Sequence, residues 1–275
     1  MDRDERNSVC AVVVTYNRPQ ELWACLSSLL AQKTYGLDHI HVVVNSFDEA
    51  TLVSIRSLMA EDSLISISRF DNVGPAGGFH YGIKRFLEGS WKFVWLMDDD
   101  IVVDEYCLTN LLQHASDHTY IFPRVIKGDG EEVVSFGWWG VLIAREVIVH
   151  AGLPLKELFY WAEDTEYLQN RLTRVCRIVP FRSERAMVKH LHQRKEKRPS
   201  WYYYYTMRNT LYYRTYVAGY TWYRFRRTLI LFPQSLYTIL TKEDNKIKKI
   251  GLLFYGFYHG LIGRIGRLVD PALNK

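Results

Sequence analysis

The most informative segment of the sequence is Phe93-Val94-Trp95-Leu96-Met97-Asp98-Asp99-Asp100. Five consecutive apolar residues predict a short strand that is buried on both faces, as in a parallel sheet. Three acids follow, and because side chains alternate along a strand, Asp98 and Asp100 are expected to point the same way. Such a pair suits Mg²⁺ or Mn²⁺, which take one or two protein carboxylates and complete their shells with water and phosphate oxygens. The alternative for three acids at a strand end is a solvated turn.

Upstream of this stretch, strand and helix patterns alternate. Residues 9–15 form a continuous apolar, β-branched run that predicts a buried strand, and Pro19 begins a helix with leucines on one face. Residues 41–44 and 64–70 predict two further strands, separated by a helix over 49–59. Short links between alternating strands and helices predict an α/β fold with an open, mostly parallel sheet.

Polar residues stand at the carboxyl ends of these strands, where ligands bind in open α/β sheets. They are Thr15, Asn45, Asp71 and Asp98. The small residues at 74–78 predict a glycine-rich turn ahead of a helix. Glycine there lets the backbone approach a ligand, and the helix N-terminus favours an anion. A turn without a ligand is the alternative.

The second half of the chain does not continue this alternation of strands and helices. Extended segments are predicted over residues 121–140, followed by a helix near 145–151 and a strand over 177–179. An acidic helix start is expected at Glu163. From about Ser200 onward the pattern is helical and aromatic.

Composition indicates a folded protein with a mildly basic balance. Of 275 residues, 48% are hydrophobic, and 35 Lys and Arg against 30 Asp and Glu give a formal net charge of +5. The charged segment Met1–Arg6 predicts no signal peptide and a start in the cytoplasm. Four widely separated cysteines in apolar contexts predict core thiols in a reducing compartment. They are Cys10, Cys25, Cys107 and Cys176.

Three acids at the predicted helix start, Glu163, Asp164 and Glu166, have two interpretations. Acids are favoured at the positive end of a helix dipole, which explains them without a function. A carboxylate within hydrogen-bond reach of a substrate hydroxyl instead acts as a general base.

Two aromatic pairs are also ambiguous. His190 and His192 share a side of a predicted strand, and either could face solvent or complete a metal shell begun by the acids. Trp138 and Trp139 could be core residues. Adjacent strand residues cannot both point into one core, however, and an exposed Trp offers a flat face to a sugar ring.

These motifs follow one another in a fixed order. They are Val12–Pro19, Asn45-Ser46, Asn72–Phe79, Asp98–Asp100, Trp138–Gly140 and Glu163–Tyr167. In this order, over residues 9–215, they resemble the family 2 inverting glycosyltransferases with the A-type nucleotide-sugar fold. Within that family, Ala76–Phe79, the paired Trp and Phe159–Trp161 look most like bacterial galactofuranosyltransferases, with rhamnosyltransferases next.

Two positions depart from the galactofuranosyltransferase pattern. The second strand ends without the acid often seen before Asn45, and Glu163 stands where those relatives tend to have Asp.

The resemblance implies a role for each matched residue. Thr15, Asn17 and Arg18 would contact the uracil and ribose, Asn45 and Asn72 the nucleotide, and Gly77 and Gly78 the donor. Asp98 and Asp99 would bind the ribose and diphosphate. The metal ligands would be Asp98, Asp100 and His192, and Asp164 would be the general base. Trp138, Trp139, Glu163 and His190 would lie near the acceptor.

The implied reaction is a single displacement with inversion at the anomeric carbon, supported by Mn²⁺ or Mg²⁺. The expected donor is a UDP-sugar, best matched by UDP-galactofuranose, with dTDP-rhamnose as the alternative. The expected acceptor is a hydroxyl of a lipid-linked bacterial surface glycan such as O-antigen or capsule. No nucleic-acid partner is expected. A second copy of this chain and other glycan-assembly enzymes are the alternatives for a protein partner.

We expect residues 1–199 to be the catalytic domain and residues 200–275 to be a helical region on the inner face of the cytoplasmic membrane. The apolar stretches Thr228–Leu240 and Gly251–Gly263 are shorter than the ~20 residues that span a bilayer. Basic flanks make them typical of interfacial helices. The flanking residues are Arg224, Arg226, Arg227, Lys242, Lys246, Lys248, Lys249, Arg264 and Arg267. The alternative is that these helices pack on the catalytic domain or form an oligomer interface.

Two hypotheses from other classes explain less of the sequence. A nucleotidyltransferase would need a basic, glycine-rich loop after the first strand, and Tyr16–Pro19 is not one. A non-catalytic, membrane-surface carbohydrate-binding module would leave the three consecutive Asp residues and Glu163-Asp164 unexplained.

Overall fold

The first half of the chain is a parallel sheet flanked by helices. The computed structural model describes residues 7–33, 36–46, 49–61, 63–116, 120–134, 137–191, 197–219 and 221–274. Its first elements are β1 (Val9–Thr15), α1 (Pro19–Leu30), β2 (Leu37–Val44), α2 (Glu49–Glu61), β3 (Ile65–Arg69), α3 (Gly74–Glu88) and β4 (Phe93–Asp98). The four strands pair in parallel in the order β3-β2-β1-β4, which confirms the predicted sheet. Every residue of β1 is buried, as its continuous apolar run predicts.

The second half extends this sheet in mixed directions. Its elements are β5 (Ile101–Val103), α4 (Cys107–Leu112), β6 (Tyr120–Lys127), β7 (Glu132–Val133), β8 (Trp139–Ala144), α5 (Arg145–Ala151) and β9 (Pro180–His190). The order continues β4-β8-β6-β9-β5, with β8 antiparallel to β4 and β9 parallel to β6. The parallel prediction therefore holds for the first half only. The strand predicted at 177–179 is wrong, because β9 begins at Pro180.

Three helices form most of the C-terminal region. They are α6 (Ser200–Tyr212), continued by a wider helical turn over Tyr213–Val217, α7 (Trp222–Lys242) and α8 (Lys246–Leu261). Lys249 does not serve as a basic flank of α8, because it is 1% exposed and lies 2.6 Å from Glu243 and 2.5 Å from Asp244. Among the described residues, no helix is both long and apolar enough to cross a bilayer.

The prediction of core thiols is confirmed for three of the four cysteines. Cys10, Cys25 and Cys107 are buried in the core, Cys176 is half-buried, and all four are free thiols.

Candidate active site

One cavity opens at the carboxyl ends of the parallel strands, where the sequence predicts ligand binding. Its volume is about 930 Å³. The ends of β1, β2 and β4 form one wall, residues 159–165 form a second, and residues 197–202 a third. The lining includes Thr15, Asn17, Arg18, Asn45, Asn72, Asp98, Asp99, Asp100, Trp138, Trp139, Glu163, Asp164 and His190. The fold therefore brings thirteen of the predicted site residues together.

A hydrogen-bond network joins the ends of β1 and β4. Thr15 Oγ1 donates to Asp99 Oδ2 over 2.7 Å, and the Tyr16 backbone N–H donates to the same oxygen over 3.3 Å. Arg18 Nη1 lies 3.3 Å from Asp99 Oδ1 and 2.7 Å from Asp100 Oδ2. Two of the three acids are thus held by one guanidinium group.

The three acids are not arranged by strand alternation. β4 ends at Asp98, and Asp99 and Asp100 lie in the turn before β5, so the pleat does not align Asp98 with Asp100. Burial raises the pKa of Asp98, and the charge of Asp100 raises it further. Burial also raises the pKa of Asp99, to about 6, against the opposing effect of Arg18. Crowded, buried carboxyl groups of this kind favour a bound cation.

The donor set fits a hard divalent cation that arrives with a diphosphate. Among the residues that the structure describes, no three His, Cys, Asp or Glu side chains are arranged as a metal centre. Mg²⁺ and Mn²⁺ need only one or two carboxylates when phosphate oxygens supply other ligands, and the strand-end acids provide them. His190, which is predicted to lie near the acceptor, has its Nε2 3.3 Å from Asp100 Oδ1. His192, the predicted third ligand, lies outside the described residues.

Two asparagines line the cavity close to the ends of β2 and β3. Asn45 is 1% exposed, and its Nδ2 donates to the Gly74 carbonyl over 3.0 Å. Its Oδ1 has no hydrogen-bond partner among the described residues, so it can accept from a ligand. Asn72 has a φ of 32°, and Asn17 has a φ of 53°. Asn tolerates this left-handed conformation better than most residues.

Gly77 and Gly78 do not line the cavity, contrary to their predicted contact with the donor. α3 begins at Gly74, so the predicted glycine-rich turn is the first part of the helix. A Cβ atom on Gly78 would lie 2.4 Å from Val14 Cγ1, and one on Gly77 would lie 2.6 Å from Val73 Cβ. These glycines allow α3 to pack closely on β1 and on the preceding residue.

The segment ahead of Glu163-Asp164, residues 158–162, has an unusual backbone. Phe159, Trp161 and Ala162 have φ values of 63°, 75° and 68°. Non-glycine residues in this region cost free energy and persist only where surrounding contacts impose the conformation. One such contact is at Gly74, where an added Cβ would lie 2.0 Å from the Phe159 carbonyl oxygen. Gly74 thus allows the segment to approach the start of α3.

Two buried residues of α6 hold the same segment from the other side. Arg208 and Asn209 are both 0% exposed. Asn209 Nδ2 lies 2.8, 2.6 and 2.9 Å from the carbonyl oxygens of Leu158, Tyr160 and Trp161. Arg208 Nε donates to Asn209 Oδ1 over 2.7 Å, which fixes the orientation of the amide. The C-terminal region therefore fixes the backbone of the cavity wall.

Glu163 and Asp164 follow directly from this segment. Asp164 caps the π-helix Thr165–Val175, and its Oδ1 accepts from the Thr165 N–H over 2.5 Å. Burial raises the pKa of Asp164. Burial, and then the charge of Asp164, raise the pKa of Glu163 to about 8, and Glu163 Oε2 has no hydrogen-bond partner among the described residues. Glu166 instead pairs with Arg171 at 2.9 Å, away from the cavity lining. A mostly protonated Glu163 thus stands beside Asp164 at neutral pH.

The two tryptophans occupy different environments, as strand alternation predicts. Trp138 is 2% exposed and stacks on Phe79 with ring centroids 4.3 Å apart, so it belongs mainly to the core. Trp139 is half-buried, lines the cavity, and lies 5.5 Å from the His190 ring. Of the pair, Trp139 is the better candidate for stacking on a sugar.

Sequence patterns did not single out several residues of the cavity lining. These are Tyr16, Pro75, Lys197, Arg198, Trp201, Tyr202, Gln169, Thr210, Tyr213, Arg214 and Pro271. For the lining residues at 197–202, the sequence offers one indication, which is the dense mixture of basic and aromatic residues after Lys189. No local pattern distinguishes the others.

Comparisons with known proteins agree with this geometry. Residues 10–142 match the family model described as Glycosyl transferase family 2. Galactofuranosyltransferase GlfT1 of Mycobacterium tuberculosis is 41% identical over 134 residues, which cover 47% of this chain and 43% of that protein. Its counterpart from Mycolicibacterium smegmatis is 31% identical over 131 residues, covering 46% and 42%. The matched part of the chain thus spans less than half the length of these relatives.

Solved structures share the fold across most of the chain. S. aureus TarS 1–349 in complex with UDP-GlcNAc has a TM-score of 0.61 at 14% identity, covering 93% of this chain and 81% of that one. Mannosyltransferase PcManGT from Pyrobaculum calidifontis, in complex with GDP-Man and Mn²⁺, has a TM-score of 0.59 at 12% identity, covering 98% and 78%. Such low identities show the fold alone, which is the predicted A-type glycosyltransferase fold. The family match shows that residues 10–142 of this chain contain a glycosyl transferase family 2 domain.

Proposed function

We propose that the chain is a metal-dependent inverting glycosyltransferase that transfers galactofuranose from UDP-galactofuranose to a hydroxyl of a lipid-linked bacterial surface glycan. The observation that carries the proposal is one cavity in which the strand-end acids Asp98–Asp100 lie with Glu163 and Asp164. The acids suit the diphosphate side of a nucleotide sugar, and a second carboxylate pair suits an acceptor hydroxyl. The galactofuranosyltransferase relatives support the choice of sugar.

Residues of the first half bind the donor in this proposal. Thr15, Asn17 and Arg18 contact the uracil and ribose, and the unpaired Oδ1 of Asn45 accepts from the nucleotide. Solved neighbours that hold UDP-GlcNAc, or GDP-Man with Mn²⁺, support a nucleotide-sugar donor. Asp98 and Asp100 would hold Mn²⁺ or Mg²⁺, with His190 beside them; such an ion, when bound, neutralises charge that develops on the departing diphosphate.

Asp164 acts as the general base. It removes the proton of the acceptor hydroxyl as that oxygen attacks the anomeric carbon from the face opposite the nucleotide. The bond to the diphosphate breaks in the same step, so the configuration inverts. Trp139 offers its ring face to the acceptor, and Glu163, being largely protonated, can donate a hydrogen bond to a sugar oxygen.

A donor screen with the full chain tests this function. Purified protein with Mn²⁺ and a lipid-linked glycan acceptor is incubated with UDP-galactofuranose, dTDP-rhamnose and common UDP-hexoses, and acceptor-dependent nucleotide release is measured. UDP release from UDP-galactofuranose above the other donors supports the proposal. Release from dTDP-rhamnose alone would transfer the assignment to a rhamnosyltransferase, and release from no donor would contradict it.

The metal site has its own test. Asp100→Asn should abolish the increase in melting temperature that UDP gives in the presence of Mn²⁺, while the protein without ligand stays folded. Exposed Asp129→Asn is the matched control. If Asp100→Asn binds UDP and Mn²⁺ as the wild type does, the metal lies elsewhere.

We further propose that residues 1–199 form the catalytic domain, and that residues 200–275 complete the site and hold the protein on the inner face of the cytoplasmic membrane. α7 and α8 carry exposed apolar side chains beside basic ones, which is the pattern of an interfacial helix. The exposed apolar residues include Leu229, Ile230, Tyr237, Leu240, Ile247, Phe254 and Tyr258.

Flotation with anionic vesicles at low and high salt tests the attachment. The triple variant Ile247→Ser, Phe254→Ser, Tyr258→Ser should lose binding. A control with Val134→Ser and Val179→Ser, two exposed residues elsewhere, should retain it. Absence of wild-type binding at low salt would contradict the attachment.

A further inference from the structure

Four arginines surround the turn between α6 and α7. They are Arg174 at the end of the π-helix, Arg214 in the wide turn after α6, and Arg224 and Arg227 at the start of α7. Arg174 Nη1 donates to the Ala218 carbonyl over 2.7 Å, and Arg224 Nη1 donates to the same oxygen. Two guanidinium groups therefore meet at a single carbonyl.

The other two arginines lie against the same turn. Arg214 Nη1 donates to Thr228 Oγ1 over 3.1 Å. Its pKa is lowered by burial and then by the charge of Arg227. Tyr213, next to Arg214, lies within the electrostatic influence of Arg174 and Arg224. The four cations form one cluster.

No acid neutralises this cluster in the part of the chain that the structure describes. None of the four arginines forms an ion pair with Asp or Glu there, and Glu166, the acid that influences Tyr213, is paired with Arg171. Four like charges in one place repel each other, and an anion would relieve that repulsion.

Helix capping explains part of this arrangement. Arg174 and Arg224 donate to carbonyls at the end of a helical segment, where cations are favoured. Capping does not account for Arg214, which donates to a hydroxyl, or for Arg227, which lies 5.9 Å from the Tyr223 ring centroid. The hydrogen bonds that define the cap thus come from only two of the four cations.

The cluster connects the catalytic cavity with the surface of α7. Arg214 and Tyr213 line the cavity that contains Asp164. Arg174 and Arg227 are exposed, and Leu229 and Ile230, two of the exposed apolar residues of α7, follow Arg227 closely. A molecule bound here could extend toward Asp164 on one side and along an apolar surface on the other.

We propose that Arg174, Arg214, Arg224 and Arg227 bind the phosphate group that joins the acceptor glycan to its lipid carrier. Guanidinium groups bind phosphate oxygens with paired, charge-assisted hydrogen bonds, so four of them suit a phosphate or diphosphate ester. The glycan then enters the cavity toward Asp164, and the lipid chain lies along α7. This site rests on the proposed glycosyltransferase function, since it identifies the acceptor by its phosphate.

Vesicle binding of the full chain, with UDP and Mn²⁺ saturating the donor site, tests the proposal. Phosphatidylcholine vesicles carry either a polyprenyl phosphate or phosphatidylglycerol at equal surface charge, and inorganic phosphate is the soluble competitor. Wild type should bind the polyprenyl phosphate vesicles more tightly. Arg214→Gln and Arg227→Gln should each weaken that binding about tenfold, because each removes hydrogen bonds to a charged group.

Arg226→Gln is the matched control, since Arg226 is an exposed neighbour on the same helix and its loss changes the net charge equally. It should weaken binding to the two vesicle types equally, as loss of a basic flank of α7 would, and keep the preference for polyprenyl phosphate. If Arg226→Gln and Arg227→Gln lose that preference to the same extent, the effect is one of general surface charge and the phosphate site is overturned. Equal binding of the two vesicle types would also overturn it, in favour of bulk anionic lipid. Inorganic phosphate should compete; failure to compete would contradict a phosphate site.

UDP binding, measured on the same wild-type preparation by melting temperature, separates this proposal from the one on which it rests. If UDP does not bind but arginine-dependent vesicle binding persists, the glycosyltransferase function fails and the phosphate site stands. If UDP binds and the arginine variants bind vesicles like wild type, the phosphate site alone fails.

Discussion

The two walls of the cavity are built in different ways. On the side that we propose binds the donor, Thr15 and Asp98 end adjacent parallel strands, so regular hydrogen bonding between β1 and β4 brings them together. On the opposite side, residues 158–162 have little regular structure and three left-handed φ values. Asn209 holds that segment from α6, 48 to 51 residues later in the chain. The C-terminal region therefore builds part of the cavity, in addition to the membrane attachment that we propose for it.

The largest expected effect is on the wall that depends on α6. Asp164→Asn should lower turnover by ~10²–10⁴, because a positioned base is lost, while UDP binding on the opposite wall stays near wild type. Turnover and UDP affinity are measured on the same preparation, with exposed Glu157→Gln as the control. Near-normal turnover would assign the general-base role to Glu163 instead of Asp164.

Substitutions of Trp138 and Trp139 should have different effects, one on stability and the other on acceptor binding. Trp138→Ala should lower the free energy of unfolding by ~3–5 kcal/mol, because it leaves a cavity beside Phe79 in the core. Trp139→Ala should cost less stability and raise the acceptor KM. Denaturant unfolding and acceptor kinetics distinguish the two, and the reverse pattern would place Trp138 in the acceptor site.

Asn209 tests whether α6 positions the base. Asn209→Asp keeps an oxygen for Arg208 but removes the Nδ2 donor to three carbonyls, so we expect kcat to fall about tenfold with little change in UDP affinity. Asn110→Asp, which removes a comparable bond to the Arg185 carbonyl far from the cavity, is the control. A variant that loses kcat and UDP affinity in proportion would indicate general unfolding instead of a positioning role.

The effect that is smallest per pH unit concerns Glu163 and appears as a pH dependence of stability. Its pKa is raised from 4.5 to about 8 in the folded protein, so the native state binds the extra proton between these values. The free energy of unfolding contributed by this group therefore falls as pH rises through that window, on the order of 1 kcal/mol per pH unit near its middle. Glu163→Gln should be more stable than wild type at pH 8, and the difference should vanish near pH 4. Parallel stability curves would contradict the assignment.

Much of the donor wall could be predicted from the sequence. The apolar run before Asp98, the β-branched run of β1, and the polar residues that follow them are local patterns, and strand geometry converts such patterns directly into position. Arg18 was identified from the resemblance, and the structure adds its contacts with Asp99 and Asp100. Gly77 and Gly78 were assigned to the wrong surface, because a glycine that permits close packing looks the same in sequence as one that contacts a ligand.

The sequence by itself determined the parallel half of the sheet, the strand-end acids and the presence of a second acidic pair, since each of these follows from short-range periodicity or from motif order. Only the tertiary structure decided that α6 holds the 158–162 segment, that His190 lies against Asp100, and that four arginines meet at one turn. Those arrangements depend on contacts between residues far apart in the chain. Helix packing and strand register set such contacts, and no local pattern encodes them.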